Sequence, residues 1–101
     1  MFKLDPNPTF TVEVPITEPG GTQRPLKVTF RHRTRSAYMA WRKQPQEDLD
    51  FALDMVESIP EVPEGMTLKD FVAALIENYP AASLDLFFVY ERELLESRAK
   101  N

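Results

Sequence analysis

The chain has 101 residues, a net charge of -4 and 43% hydrophobic residues, which is enough for one folded core and too short for two independent ones. It contains no cysteine, which excludes disulfides and thiolate metal sites, and no apolar run approaches the roughly 18 residues that cross a bilayer. The acidic balance gives no global reason to expect a nucleic-acid partner. We therefore predict a single soluble domain, residues 1–101, that stays in the cytoplasm.

The first third of the chain has the two-residue period of β-strands. Apolar and polar residues alternate over residues 9–16 and again over residues 26–30. Between these runs lies the turn sequence Pro19-Gly20-Gly21, so the two strands are predicted to form a hairpin with a long loop. Pro15 lacks a backbone N–H and is expected near the end of an edge strand or on the side facing away from the partner strand.

After Thr34 the apolar residues recur at helical spacing. Thr34 can cap a short first helix that contains Tyr38 and Trp41 and ends at Pro45. A second helix is predicted over residues 46–59, and the prolines that follow end it. Its apolar stripe consists of Leu49, Ala52, Leu53, Val56 and Ile59.

Two further helices are predicted in the last third of the chain. Thr67 stands at a capping position with Asp70 three residues on, and Tyr79-Pro80 ends this helix. Ser83 is predicted to cap a last helix with an unusually wide apolar stripe. The apolar residues of this stripe are Leu84, Leu86, Phe87, Phe88, Val89, Tyr90, Leu94 and Leu95. Such a width indicates either a central helix wrapped by the others, which we favour, or a face left exposed for a partner.

These elements predict an α+β fold. An N-terminal β-hairpin segment, residues 1–33, is expected to pack on a small bundle of three to four α-helices formed by residues 34–99. A lone two-stranded hairpin is marginally stable in water, so its apolar side chains need a surface to pack against. The helices are the part of the chain that can supply it.

Charge is divided into two adjacent blocks of opposite sign. Residues 19–46 contain seven basic side chains and no acid, and residues 47–64 contain seven acidic side chains and no base. The basic ones are Arg24, Lys27, Arg31, Arg33, Arg35, Arg42 and Lys43. Either both blocks are solvated faces that aid solubility, or they attract each other or the opposite block of a second copy. The second interpretation predicts head-to-tail self-association.

Arg31, Arg33 and Arg35 at the end of the hairpin have two interpretations. Together with nearby aromatic residues they offer phosphate contacts and stacking surfaces, as in a small nucleic-acid-binding regulator. If the strand continues through them, they form one row on one face that binds carboxylates, within the chain or between chains. We favour the carboxylate interpretation because an acidic block follows directly. The carboxylates concerned are Asp48, Asp50 and Asp54.

Three aromatic residues complete the set of candidate partner contacts, and no residue is a candidate for catalysis. Tyr38, Trp41 and Tyr90 are predicted at the partner surface, although core packing explains each of them taken singly. His32, the only histidine, lies between two arginines that repel a metal ion. The glycine-containing turn lacks the lysine and the following helix of a phosphate-binding loop. We expect no enzyme activity, no cofactor and no metal site.

Four segments of the chain resemble one family in order and spacing. They are residues 2–10 (FKLDPNPTF), 30–35 (FRHRTR), 77–82 (ENYPAA) and 98–101 (RAKN). With the total length, they are similar to the tail assembly chaperones of long-tailed bacteriophages and related prophages. The similarity runs along most of the chain.

The resemblance implies a function and a set of partners. Such a chaperone binds the phage tape-measure protein, keeps it soluble and promotes assembly of the tail tube. It acts in the cytoplasm of the bacterial host and is absent from the mature virion. The chain resembles the short form, and a longer product of a ribosomal frameshift would contact the tail-tube protein. A structural tail component is the remaining alternative.

Overall fold

The fold, seen in a computed structural model that describes residues 1–96, begins with a β-hairpin. Its strands, β1 (Thr9–Thr17) and β2 (Gln23–Arg31), pair antiparallel and in register over their whole length. Gly20 and Gly21 take φ angles of 103° and 101°, a left-handed region that residues with a Cβ avoid, and they let the chain reverse. The predicted hairpin is confirmed.

A third strand replaces the end of the predicted second helix. Helix α2 (Asp48–Met55) is shorter at both ends than the predicted span, and β3 (Val56–Ser58) then pairs antiparallel with β2. Val56 is β-branched and fully buried, and Ile59 precedes Pro60, which disfavours the helical conformation. The open edge of β2 also offers backbone groups that this segment satisfies. The prediction of a helix through residue 59 was therefore wrong.

The strand order β1-β2-β3 leaves β1 at one edge of the sheet. The backbone N–H of Thr17 points away from β2 and donates to Asp85 Oδ2 at 2.8 Å. Pro15 lies two residues earlier on the same strand, so its nitrogen is on the same outer side, where no bond of the ladder is lost. The prediction for Pro15, near the end of an edge strand or facing away from the partner strand, is confirmed.

Residues 34–96 supply the helices of the fold. With α2 they are α1 (Arg35–Arg42), α3 (Leu68–Asn78) and α4 (Ala82–Glu91), which continues into a π-helical turn (Arg92–Glu96). Thr34 Oγ1 accepts the Ala37 N–H at 3.1 Å, and Thr67 Oγ1 accepts the Asp70 N–H at 3.0 Å. Both predicted caps are confirmed. The predicted end of the helical segment, residues 97–99, lies outside the described residues.

The start of α4 differs from the prediction. Its N-terminal flank is Ala81, which makes no side-chain capping bond, and Ser83 lies buried inside the helix. The chain turns tightly after Tyr79, whose carbonyl accepts the Ala82 N–H at 2.8 Å. The helix therefore starts before the position that a Ser83 cap requires, and the prediction of this cap was wrong.

The core lies between the sheet and the helices. Val14, Val28 and Phe30 of the hairpin are fully buried, as are Leu86 and Tyr90 of α4. The ring centroids of Phe30 and Tyr90 are 5.3 Å apart. The hairpin thus buries its apolar face against the helices, and the predicted α+β fold is confirmed, with a three-stranded sheet in place of a bare hairpin.

Candidate partner-binding surface

The three predicted arginines occupy three different environments. β2 ends at Arg31, whose Nε lies 3.1 Å from Oε1 of Glu57 on the neighbouring strand β3. Arg33 Nη1 donates to the Tyr90 hydroxyl at 3.0 Å. Arg35 is exposed and is the first residue of α1. Because a helix starts at Arg35, the strand does not continue through it, and the condition for a single row of arginines is not met.

The predicted aspartates are not ion-paired with these arginines within residues 1–96. Asp54 Oδ2 accepts hydrogen bonds from Trp41 Nε1 at 3.2 Å and from Gln46 Nε2 at 2.7 Å. Asp48 and Asp50 are exposed in the first turn of α2, where negative charge suits the helix dipole. Pairing of these aspartates with arginines of a second chain stays a prediction.

Sequence reasoning missed Glu57 as the partner of Arg31. The residue falls in a segment predicted as helix, and only the pairing of β3 with β2 places it beside the strand that ends in Arg31. Recognition of the β-branched, proline-flanked segment as an edge strand is the signal that would have found it. Both side chains are about half exposed, so the pair contributes roughly 0–1 kcal/mol.

The three aromatic candidates, Tyr38, Trp41 and Tyr90, lie in the core, at 3%, 6% and 0% exposure. The Tyr90 hydroxyl donates to the Arg31 carbonyl at 2.8 Å, and the Arg33 guanidinium lies 4.4 Å from the centroid of the Trp41 ring. Burial raises the pKa of Tyr90, so its hydroxyl keeps the proton that it donates. Tyr90 and Trp41 thus hold residues 31–33, part of the arginine segment (residues 31–35), from inside the fold. Direct contact between these rings and a partner stays a prediction.

Side chains tie α1 to α4. The Tyr38 hydroxyl donates to Glu91 Oε2. Burial, followed by this hydrogen bond, raises the pKa of Tyr38 to about 12. One turn further along α1, the Arg42 guanidinium lies 4.6 Å from the centroid of the Phe87 ring. The basic end of α1 is therefore held beside the phenylalanines of α4.

The outward side of the last helix carries an apolar ridge. Leu84, Phe88 and Leu95 are 56%, 61% and 51% exposed, and we refer to them as the α4 ridge. Leu84 and Phe88 are one turn apart on α4, and Leu95 lies in the π-helical turn that follows it. Single exposed apolar residues are ordinary, but two on adjacent turns of a helix, with a third shortly after them, make this side a candidate interaction surface. The first interpretation of the wide stripe, a central helix, therefore holds; α4 also presents an exposed face, and its coverage by a partner stays a prediction.

The cations of α1 and its C-terminal cap are Arg35, Arg42 and Lys43; we refer to them as the basic border, and Arg42 joins it to α4 through the ring of Phe87. Met39 is 50% exposed, with Arg35 four residues before it and Lys43 four residues after it on one side of the helix. In the described part of the chain, no carboxylate forms an ion pair with Arg35, Arg42 or Lys43. An apolar ridge with a basic border is suited to a partner surface that is apolar and edged with acids.

A second apolar surface lies along α3. Phe71, Leu75 and Tyr79, at successive helical turns, are shared by two shallow clefts of about 250 and 260 Å³. We refer to the two clefts together as the α3 groove. Its other walls include Ile16, Leu26, Glu61, Pro63, Met66 and Ala74. The groove lies at the end of the hairpin that contains the turn.

The sequence predicts neither a metal site nor a membrane-spanning helix. Residues 1–96 contain no group of three or more histidine, cysteine or acidic side chains that could hold a metal ion. Within the same residues no single helix has the length and hydrophobicity of a membrane span, and α3 and α4 meet that test only jointly, across a bend of 113°.

The family model of the phage tail assembly chaperones matches residues 1–101. The chain belongs to this family, which confirms the resemblance noted in its sequence. No match was found among curated proteins or among solved structures.

Proposed function

We propose that this tail assembly chaperone binds the tape-measure protein of its phage, keeps it soluble and promotes assembly of the tail tube around it. The observation that carries the proposal is the α4 ridge, in a chain whose family acts in tail assembly. A tape-measure protein is a long helical chain whose amphipathic stretches aggregate unless they are covered. An apolar ridge on a helix packs against such a stretch by the ordinary geometry of helix pairs.

The basic border gives the contact its direction and specificity. Arg35, Arg42 and Lys43 are available to carboxylates that flank an apolar stripe on the partner. Charges of this kind speed association and set register more than they add affinity. One ridge offers a modest contact area, so solubility of a long partner requires several copies along it.

The setting of this function is also part of the proposal. The protein acts without catalysis, in the cytoplasm of the bacterial host, and leaves before the virion is complete. A longer product made by ribosomal frameshift carries the contact with the tail-tube protein.

Head-to-tail self-association belongs to the same proposal. Arg24 and Arg31 are ion-paired inside the chain, with Glu18 and Glu57, and this weakens the basic block as a source of attraction. The cations of α1 remain available to an acidic surface of a second copy. Several copies held together in this way would bind a long tape-measure protein more tightly than separate copies.

Co-expression with the tape-measure protein tests the proposal. We expect the tape-measure protein to become soluble and to co-purify with the chaperone, whereas alone it is insoluble. If it stays insoluble and unbound, the proposed partner is wrong. Affinity for nucleic acid that falls steeply with salt concentration would then support the regulator built on the arginine segment.

Analysis of purified virions separates the chaperone from a structural tail component. A chaperone is present in infected cells and missing from the finished particle, whereas a structural component remains at a fixed number of copies. Quantitative mass spectrometry of both fractions gives this ratio directly. Stoichiometric protein in the virion would overturn the chaperone assignment.

A further inference from the structure

We propose that residues 56–59 are a conformational switch, which pairs with the sheet as β3 in one state and adds a last turn to α2 in the other. The ion pair between Arg31 and Glu57 favours the strand state. Both states belong to the folded chain without any partner. In the helical state the Arg31 guanidinium loses its carboxylate and becomes available to another one.

The strand that this switch forms is short. β3 has three residues and pairs with β2 at two positions, with an irregularity of register between them. No loop separates it from α2, because Met55 is the last residue of the helix and Val56 is the first of the strand. A pairing of this length satisfies few backbone groups, so only a small free energy favours it over another arrangement of the same residues.

Burial across α2 and β3 has the period of a single helix. Within residues 48–59 the buried residues are Ala52, Met55, Val56 and Ile59. Their spacing is i, i+3, i+4 and i+7, which corresponds to one face of a continuous helix. Glu57 and Ser58 are exposed, and in such a helix they lie away from that face. A helical turn at residues 56–58 therefore keeps the same side chains inward and does not require the core to be exposed.

A longer α2 replaces the backbone hydrogen bonds of the strand with helical ones. In the strand state the Val56 N–H donates to the Ala52 carbonyl, and Val56 is the extended C-cap, with φ -99° and ψ 125°. Extension through Ser58 adds one hydrogen bond from each further N–H to the carbonyl four residues before it. Ile59 then becomes the C-cap, and the extended conformation that Pro60 imposes on it suits that position. The proline limits the extension without preventing it.

Glu57 opposes the helical state in two ways. Its Oε1 lies 3.1 Å from Arg31 Nε, and this ion pair is made only while β3 lies beside β2. In the helical state Glu57 would lie in the last turn, where the helix dipole disfavours negative charge. Both side chains of the pair are about half exposed, and a pair of this kind changes an equilibrium by up to about fivefold. It therefore adjusts the balance between the two states rather than locking one of them.

The switch controls one side chain of the arginine segment. The Arg31 carbonyl accepts the Tyr90 hydroxyl at 2.8 Å, so the backbone at Arg31 stays anchored when Glu57 leaves. Only the guanidinium is released. A carboxylate from outside the chain that binds Arg31 competes with Glu57, and by the reciprocity of linked equilibria it favours the helical state.

Backbone NMR of a helix-favouring variant tests the proposal. The double variant Glu57→Lys, Ser58→Ala changes two exposed residues, removes the ion pair, and adds a cation and a strong helix former to the last turn. We expect the helical population to rise about tenfold or more, which moves the Cα chemical shifts of residues 56–58 towards helical values. Glu64→Lys makes the same change of charge at an exposed position outside the switch and should leave these shifts unchanged. Unchanged strand values in the double variant overturn the proposal.

A disulfide between β2 and β3 provides the reverse experiment. The chain has no cysteine, so Thr29→Cys and Ser58→Cys, at paired positions, form a single disulfide that keeps the strand in place. With this disulfide closed, Glu57→Lys should leave residues 56–58 at strand values, and reduction should move them towards helical values. Equal shifts in the oxidised and reduced chains would show that the lysine acts without release of the strand, which contradicts the switch.

Relaxation dispersion of the unmodified chain gives a measurement that does not depend on any variant. Salt screens an exposed ion pair, so an increase of salt from about 0.05 M to about 1 M should raise the minor-state population by up to about fivefold. The exchange should appear at residues 56–59 and in the Arg31 side chain, with helical Cα shifts in the minor state. Absence of exchange at both salt concentrations, or a minor state with unfolded shifts, overturns the proposal.

Discussion

The two sides of α4 have the same kind of side chains and opposite environments. Leu86 and Tyr90 on the inward side are fully buried, whereas Leu84 and Phe88 on the outward side are more than half exposed. The inward side packs against the hairpin and α2, and it holds the arginine segment through the Tyr90 hydroxyl. The fold therefore buries one half of an apolar helix and leaves the other half exposed.

The first test of this comparison removes one leucine from each side. Leu86→Ala should lower the free energy of unfolding by about 2–5 kcal/mol, because it leaves a cavity in the core. Leu84→Ala, at an exposed position, should change it by no more than about 0.5 kcal/mol. Urea denaturation measures both values. Similar losses for the two variants would show that the outward side also contributes to the fold.

The second test asks whether the outward side binds. The double variant Leu84→Ser, Phe88→Ser should weaken binding to a tape-measure fragment short enough for one copy by tenfold or more, which corresponds to at least about 1.4 kcal/mol. Titration calorimetry gives the dissociation constant, and circular dichroism checks the fold. Leu4→Ser removes an exposed apolar side chain of the N-terminal segment and serves as the control. Equal affinities for all three proteins would remove the ridge from the proposal.

The third test extends the comparison to the starts of the last two helices. Thr67→Ala should lower the free energy of unfolding by about 1 kcal/mol, because the Asp70 N–H loses its acceptor. Ser83→Ala should change it by less than about 0.5 kcal/mol, because Ser83 makes no capping bond. Thermal or urea unfolding of the two variants distinguishes a cap seen only in the sequence from one formed in the structure.

The fourth test measures how stability depends on pH through Tyr38 of α1, whose hydroxyl contacts Glu91 of α4. The pKa of Tyr38 is raised from 10.0 in an unfolded chain to about 12 in the fold, so the folded state holds this proton more tightly. Its contribution to stability is complete below pH 10 and is lost as the pH rises from 10 to 12. We expect Tyr38→Phe to reduce this decline; Tyr90, whose pKa burial also raises, contributes in the same direction. Urea midpoints between pH 9 and pH 12 measure it, and identical pH profiles for the two proteins would contradict the assignment.

Local patterns predicted the hairpin and two helix starts correctly. Residues 9–16 alternate because one face of β1 is buried, and Thr34 and Thr67 cap because their oxygens accept backbone N–H groups three residues on. Such signals act between residues close in the chain, so the order of residues contains them. The prediction failed for the segment that forms β3. Whether this segment is helix or strand depends on the open edge of β2, which is distant in sequence.

The candidate site was predicted in part. The arginine segment, its aromatic neighbours and the apolar width of the last helix were all recognised as features, but their partners were not. Arg31 pairs with Glu57, and Arg33 is held by Tyr90 and Trp41, because β3 and α4 bring these side chains together. The charge blocks contained no information about which carboxylate would lie within reach of which guanidinium.

The sequence by itself determined the class of fold, the hairpin, the threonine caps and the family of this protein, because these depend on periodicity, capping chemistry and the order of short motifs. Only the tertiary structure decided which side of α4 faces the core and which forms the ridge. Every side of that helix is apolar enough to be buried, so local pattern cannot choose among them. The choice follows from how the hairpin and the other helices pack, which is a property of the whole chain.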